Sequence, residues 1–147
     1  MQPTLVEGDK LIVNKTNYQI GDINRFDIIV FHAKIGENYV KRVIGLQGDN
    51  IRYQDDRLYI NGKEVAEPYL DHFMEGYPEQ DFTGDFTLKE LTGISKVPDG
   101  KLFVMGDNRL ESEDSRHFGY ISIDKVVGKV DLRYWPIKEF NLDFKGE

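Results

Sequence analysis

The 147-residue chain contains no cysteine, which removes disulfides, thiolate metal sites and a cysteine nucleophile together. No apolar run approaches the roughly 18 residues needed to span a bilayer, and no charged-then-apolar leader opens the chain, so the sequence reads as a soluble piece. Positive charge is in short supply. With 19 Lys and Arg against 26 Asp and Glu, the formal net charge is -7, and the basic stripe that a nucleic-acid binder needs is missing. Histidine is scarce too. His32, His72 and His117 stand far apart in sequence and form no HExxH-type set, so they are read as surface or structural residues; no metal and no cofactor is expected.

What is present is strand-forming sequence. With 39% hydrophobic and 31% charged residues, the chain suits one compact unit or two small lobes. KLIVN (10–14), DIIVF (27–31), YVKRVIGL (39–46), RLYI (57–60), KLFVM (101–105) and KVVGKVDLRYW (125–135) are rich in Val, Ile, Phe and Tyr, which predicts a mainly β fold. Asn61-Gly62, between RLYI and KEV, predicts a tight type I′ hairpin. Residues 71–97 mix Gly, Pro, acids and aromatics, and only FTLKELTG hints at a short helix or strand. The expected organisation is a core from residues 1–50 and 98–147, with 51–97 inserted as a smaller β lobe.

Three stretches carry chemistry: MQPTL at the start, NYVKRVIGLQGD at 38–49 and MGDNRLESEDSRHFGY at 105–120. In an extended strand Tyr39, Lys41 and Val43 share one face and Val40, Arg42 and Ile44 the other, so a cation accompanies either face into the core. Taken singly, each stretch has an ordinary explanation. Lys41 could sit on a solvated strand face or edge, Gly106-Asp107-Asn108 could be only a turn, and Asp114 with Arg116 only a surface pair.

Taken together, the three stretches resemble the boxes of the type I signal peptidases, Ser/Lys endopeptidases that remove signal peptides from exported proteins. MQPTL resembles the residues following the nucleophile in the Ser-Met-x-Pro-Thr-Leu box, YVKRVIGLQGD resembles the lysine box, and MGDNRLESEDSRHFGY resembles the downstream GDNR…S.DSR.FG box. FDIIVF is a weaker match, with Phe26 where the family usually has Gly. The likeness reaches the WPI near residue 136 and is nearest to Gram-positive bacterial members. It implies an antiparallel β-sheet catalytic core with a smaller inserted β lobe.

The resemblance implies roles residue by residue. Lys41 becomes the general base, and because a lysine near its reference pKa of about 10.4 is protonated at neutral pH, its site must lower that value by desolvation and by keeping carboxylates away. Ser112 matches the serine that hydrogen-bonds and orients the lysine amine. Asp114 and Arg116 match a bracing ion pair; Asp107, Asn108 and Arg109 are expected to build the turn beneath. Arg42 is expected to pair or snorkel. Met1, Leu5, Tyr39 and Val40 match positions lining substrate pockets, where an extended signal peptide adds by β-augmentation and small residues, typically Ala, precede the cut at the first and third positions. The implied partner is the signal peptide of a secreted preprotein. The implied location is the outer face of the bacterial cytoplasmic membrane, held by an upstream anchor.

The family's nucleophilic Ser directly precedes the Met of the first box, which here is Met1. That serine, the upstream polar residue of the oxyanion hole and the anchor are all expected before Met1, and the chain by itself is expected to be inactive. A shortened soluble chain, preceding residues not included, and a natural homologue without the nucleophile are the three readings of this start. Gln47 replaces the Pro of the family's LPGD turn. Among rival readings, the self-cleaving Ser/Lys domain of SOS repressors lacks the GDNR…DSR pattern, and Ser115 or Ser122 as nucleophile has no GxSxG elbow or triad spacing in support. A noncatalytic module that binds extended peptides through its strand edges stays open.

Overall fold

In the computed structural model, residues 1, 10–14, 20–76 and 81–135 are described. They form ten strands: β1 (Lys10–Asn14), β2 (Ile28–Lys34), β3 (Glu37–Gly45), β4 (Ile51–Gln54), β5 (Arg57–Ile60), β6 (Lys63–Val65), β7 (Phe86–Thr87), β8 (Lys101–Met105), β9 (Ile121–Ser122) and β10 (Val126–Trp135). Three one-turn helices join them: α1 (Asp71–Glu75), α2 (Leu88–Thr92) and α3 (Ser115–Phe118). The strands make a six-stranded sheet in the order β1-β10-β2-β3-β8-β9 and a four-stranded sheet in the order β6-β5-β4-β7. Every pairing is antiparallel.

The hairpin forms where Asn61-Gly62 predicts it. Both residues take positive φ, 52° and 84°, and Ile60 pairs with Lys63 across the turn; this backbone matches the right-handed twist of the strands it joins. Asp55 and Asp56 close the β4–β5 hairpin in the same way, at φ 53° and 60°, a turn the sequence reading did not pick out. Asp and Asn tolerate this region because their short polar side chains bond nearby backbone: the Asp56 carboxylate accepts from the Phe82 and Thr83 amides. FTLKELTG contains both elements suggested for it, β7 and then α2, with the Thr87 hydroxyl capping the helix at the Glu90 amide.

All four strands β4 to β7 fall between residues 51 and 87, but their buried face has no core of its own. Ile51, Tyr53, Leu58, Ile60 and Phe86 pack with Ile44 of β3 and with Phe103 and Met105 of β8 in one cluster. On the other face of the larger sheet, Ile29, Phe31, Val43, Leu102 and Val104 form a second. Strand β8 is therefore buried from Leu102 to Met105, which explains why its sequence is a continuous apolar run rather than an alternating one. The third box begins at the end of this buried strand, with Met105.

Candidate active site

Strand β3 carries Lys41 past the end of β8. Arg42 pairs with Met105, Val43 with Val104 and Gly45 with Phe103, whereas no described strand pairs with Glu37–Lys41 on that side. The other side of this stretch is taken by β2, with Lys41 opposite Ile29 and Val40 opposite Val30. Half of β3 thus has one edge in the sheet and one edge open.

Beyond Met105 the chain turns back on itself. The Ser112 amide donates to the Asn108 carbonyl, as does the Glu111 amide, and this tight turn swings the Ser112 hydroxyl onto Lys41, whose Nζ donates to Ser112 Oγ at 2.9 Å. Gly106 makes the approach possible: a Cβ there would collide with Ser112 Oγ and lie 2.6 Å from Ser112 Cβ.

Asp114 holds the turn from below. Its buried carboxylate accepts from the Gly106 amide at 3.0 Å, from Arg116 Nε at 2.9 Å and Nη2 at 3.0 Å, and from the Arg116 amide as N-cap of α3. Burial pushes its pKa up, but the Arg116 guanidinium, the Gly106 amide and the Ser112 hydroxyl outweigh this and hold it below the ordinary 3.8. The Ser112 oxygen accepts from the Lys41 amine.

Burial lowers the Lys41 pKa from 10.5; the Asp114 carboxylate acts against that lowering and Arg116 adds to it. The expectation that carboxylates stay away is therefore corrected. Asp114, Glu113 and Asp107 all raise the amine's affinity for a proton, and desolvation and Arg116 prevail. Tyr39 adds a ring whose centroid is 5.6 Å from Nζ. The α-nitrogen of Met1 is close enough to feel the Lys41 charge, after burial the largest influence on it, while the Met1 side chain packs with Val30, Val40, Ile28 and Val130.

Comparison with known proteins bears on this arrangement. The family model for signal peptidase, peptidase S26, matches residues 1–135. A signal peptidase I of Bacillus caldolyticus is 60% identical over 98% of this chain and 79% of its own length. Signal peptidase IB of Staphylococcus aureus strain MRSA252 is 43% identical over the whole chain and 79% of its own. The chain belongs to the signal peptidase family, peptidase S26. A crystal structure of a signal peptidase I from Enterococcus faecalis V583 superposes with a TM-score of 0.70 at 43% identity, covering 74% of this chain and 96% of that one. The chain is thus a bacterial-type member of a family of serine-protease hydrolases that cut signal peptides, and its mainly antiparallel β architecture is the family's.

Among the residues singled out from the signal peptidase boxes, the fold brings together Lys41, Ser112, Asp114, Arg116, Tyr39 and Met1. Leu5 lies outside the described residues, as do Pro136 and Ile137 of the WPI. Asn108 accepts in the turn with its carbonyl, and its amide reaches Glu111 at 3.5 Å. Asp107 and Arg109 do more than build that turn. Asp107 takes a bidentate ion pair from Arg42, at 3.0 and 2.8 Å, both side chains fully buried. Arg42 also donates to the Phe26 carbonyl and stacks on Tyr69, 4.0 Å from its centroid, so the arginine facing away from Lys41 pairs rather than snorkels.

Arg109 links the turn to the four-stranded sheet. Its guanidinium donates to the Gly106 carbonyl, the Thr83 and Tyr53 hydroxyls and, at 2.7 Å, Glu67. The same Glu67 oxygen accepts from Tyr53 and Tyr69. Glu67 and Gly106 were missed by sequence reasoning: Glu67 lies in a stretch without pattern, and Gly106 resembles an ordinary turn glycine until Ser112 is placed against it.

Phe26 is explained by its backbone. It stands at φ 75°, where glycine is at ease and an L side chain strained. The phenylalanine stays because its ring packs on Tyr69, 5.4 Å between centroids, in the shared core. Ser115 accepts from the Val104 amide, and His117 closes the α3 capping box. His32 pairs with Asn38 and His72 lies in α1. Among the described residues, no group of three His, Cys, Asp or Glu is placed to hold a metal ion, and no helix is long and apolar enough to cross a membrane.

Proposed function

We propose that Lys41 is the general base of a Ser/Lys dyad that cleaves signal peptides from exported preproteins after small residues of the Ala-X-Ala type, with Ser112 orienting the base. The observation that carries this reading is the 2.9 Å hydrogen bond from the half-buried Lys41 amine to Ser112. The nucleophile is a serine joined to the α-nitrogen of Met1, which lies within the electrostatic reach of Lys41.

The serine hydroxyl attacks the scissile carbonyl carbon while neutral Lys41 takes its proton. As the tetrahedral species collapses, the C–N bond breaks and Lys41 returns the proton to the departing amine. Water then attacks the acyl ester, gives a proton to Lys41, and the serine oxygen leaves with a proton from the same residue. Asp114 and Arg116 fix Ser112, and Asp107, Asn108 and Arg109 hold the turn; none of them transfers a proton.

The substrate adds as an extended strand to the open edge of Glu37–Lys41, placing alternate side chains against Met1 and Val40 on one side and Tyr39 on the other. Leu5 completes the pockets. The full protein acts on the outer face of the bacterial cytoplasmic membrane, held there by a membrane anchor.

The test places Ser directly before Met1, with an upstream segment, and measures cleavage of an Ala-X-Ala peptide. Cleavage abolished by Lys41→Met supports the reading. Binding without cleavage, or cleavage by the 147-residue chain alone, overturns it.

A further inference from the structure

Next to the dyad lies a groove of about 320 Å³ that the mechanism above touches only at Tyr39. Its apolar wall is an aromatic cluster: Phe31, Tyr39 and Phe118 meet with centroids 6.1 to 6.4 Å apart, and Phe118 remains 38% exposed. Its rim is cationic. Lys34, Lys101 and Lys125 line it with one carboxylate, Glu113; Lys34 and Glu113 approach only to 3.9 Å, each more than half exposed. Lys101 and Lys125 make no ion pair among the described residues. On a chain of net charge -7, such a cluster beside the site is a local reversal of sign.

The groove opens directly off the site. Tyr39 forms its wall and also faces the Lys41 amine, and Glu113 follows Ser112. Met1 and Val40 lie together in a different cluster. If the acyl half of a substrate occupies the Met1–Val40 side, next to the nucleophile, the departing half passes Lys41, which must reach its nitrogen, and meets Tyr39.

Resting on the proposed function, we propose that this groove binds the segment of the preprotein that follows the cut, and selects one carrying an apolar or aromatic side chain beside one or more carboxylates. The ring cluster takes the apolar group, and the lysines take the charge. An anionic membrane surface would use the same lysines but leave the concave aromatic wall idle.

The experiment measures binding of labelled extended peptides to the 147-residue chain, by fluorescence anisotropy, so that it does not depend on turnover. One peptide carries Phe flanked by Glu, a second replaces Glu with Lys, and a third is the acidic peptide with Ala for Phe. The acidic Phe peptide is expected to bind several-fold tighter than either, with the charge preference fading at high salt, and Lys101→Glu/Lys125→Glu should reverse that preference.

The same double variant in the protein with Ser before Met1 should shift KM for substrates acidic after the cut, leaving those acidic before it unaffected. Equal affinity for all three peptides, a KM shift that follows acids before the cut, or an effect of the variant seen only with anionic phosphatidylglycerol vesicles would overturn the groove assignment. If the peptides bind as expected but no substrate is cut, the proteolytic reading fails and the groove stands as a peptide site.

Discussion

Gly106 leaves empty the volume that the Ser112 side chain occupies, so that a β-carbon at 106 and Ser112 Oγ cannot coexist. Because the Gly106 amide also donates to Asp114, the backbone cannot simply move aside. Gly106→Ala should displace Ser112 from Lys41 and lower kcat of the serine-bearing protein by about 100-fold, the scale of a 1 Å misplacement, with a stability loss of about 1–3 kcal/mol from overpacking. Wild-type kcat in this variant would show that Ser112 does not orient the base.

The Lys41 environment predicts a pH dependence. The base works only when neutral, so kcat/KM should fall as pH drops through a Lys41 pKa below 10.5, lowered chiefly by burial. Arg116→Gln removes a charge that adds to the lowering and frees Asp114 to act on the amine, so the acidic limb of the profile should move to higher pH. A shift to lower pH would contradict the electrostatic assignment. Stability is linked to the same group. The unfolded chain holds the Lys41 proton more tightly than the folded one, so between the lowered value and 10.5 this lysine's contribution to stability rises with pH.

Glu67 and Arg109 lie 42 residues apart and clamp the four-stranded sheet to the catalytic turn. Their side chains are 6% and 0% exposed, so removing one partner leaves a buried charge. Glu67→Leu should cost about 3–5 kcal/mol in urea unfolding. Arg109→Met in the Glu67→Leu background should recover part of that loss, a coupling that a double-mutant cycle reads directly. Strict additivity would mean that the pair does not act as a clamp.

At Phe26 two effects can be separated. Phe26→Ala and Phe26→Gly both lose the ring that packs on Tyr69, a loss of about 3–5 kcal/mol for a buried phenylalanine. Only glycine relieves the backbone at φ 75°, so the Gly variant should be more stable than the Ala variant by about 1 kcal/mol. The reverse order, measured by thermal or urea unfolding, would remove the backbone explanation.

Much of the fold was legible before any coordinates. The six apolar segments became β1, β2, β3, β5, β8 and β10, because each is rich enough in β-branched or aromatic residues for its pattern to stand out locally. Strands β4 and β9 were not read, and β7 only as a hint in FTLKELTG. Each is short and without a run of apolar residues, and forms because Ile51, Phe86 or Ile121 reaches a cluster built by distant segments.

The candidate site divides in the same way. Sequence alone determined which residue types are present and in what order, and hence the family, since three boxes at fixed spacing carry that information along the chain. Tertiary structure decided what those residues touch. Lys41 and Ser112 are 71 residues apart, and only the turn after β8, opened by Gly106 and tied by Asp114, brings them to hydrogen-bonding distance. Whether three carboxylates or the surrounding protein would govern the lysine's proton was equally out of reach of the sequence, because desolvation and Coulomb forces act through space and depend on distance and burial.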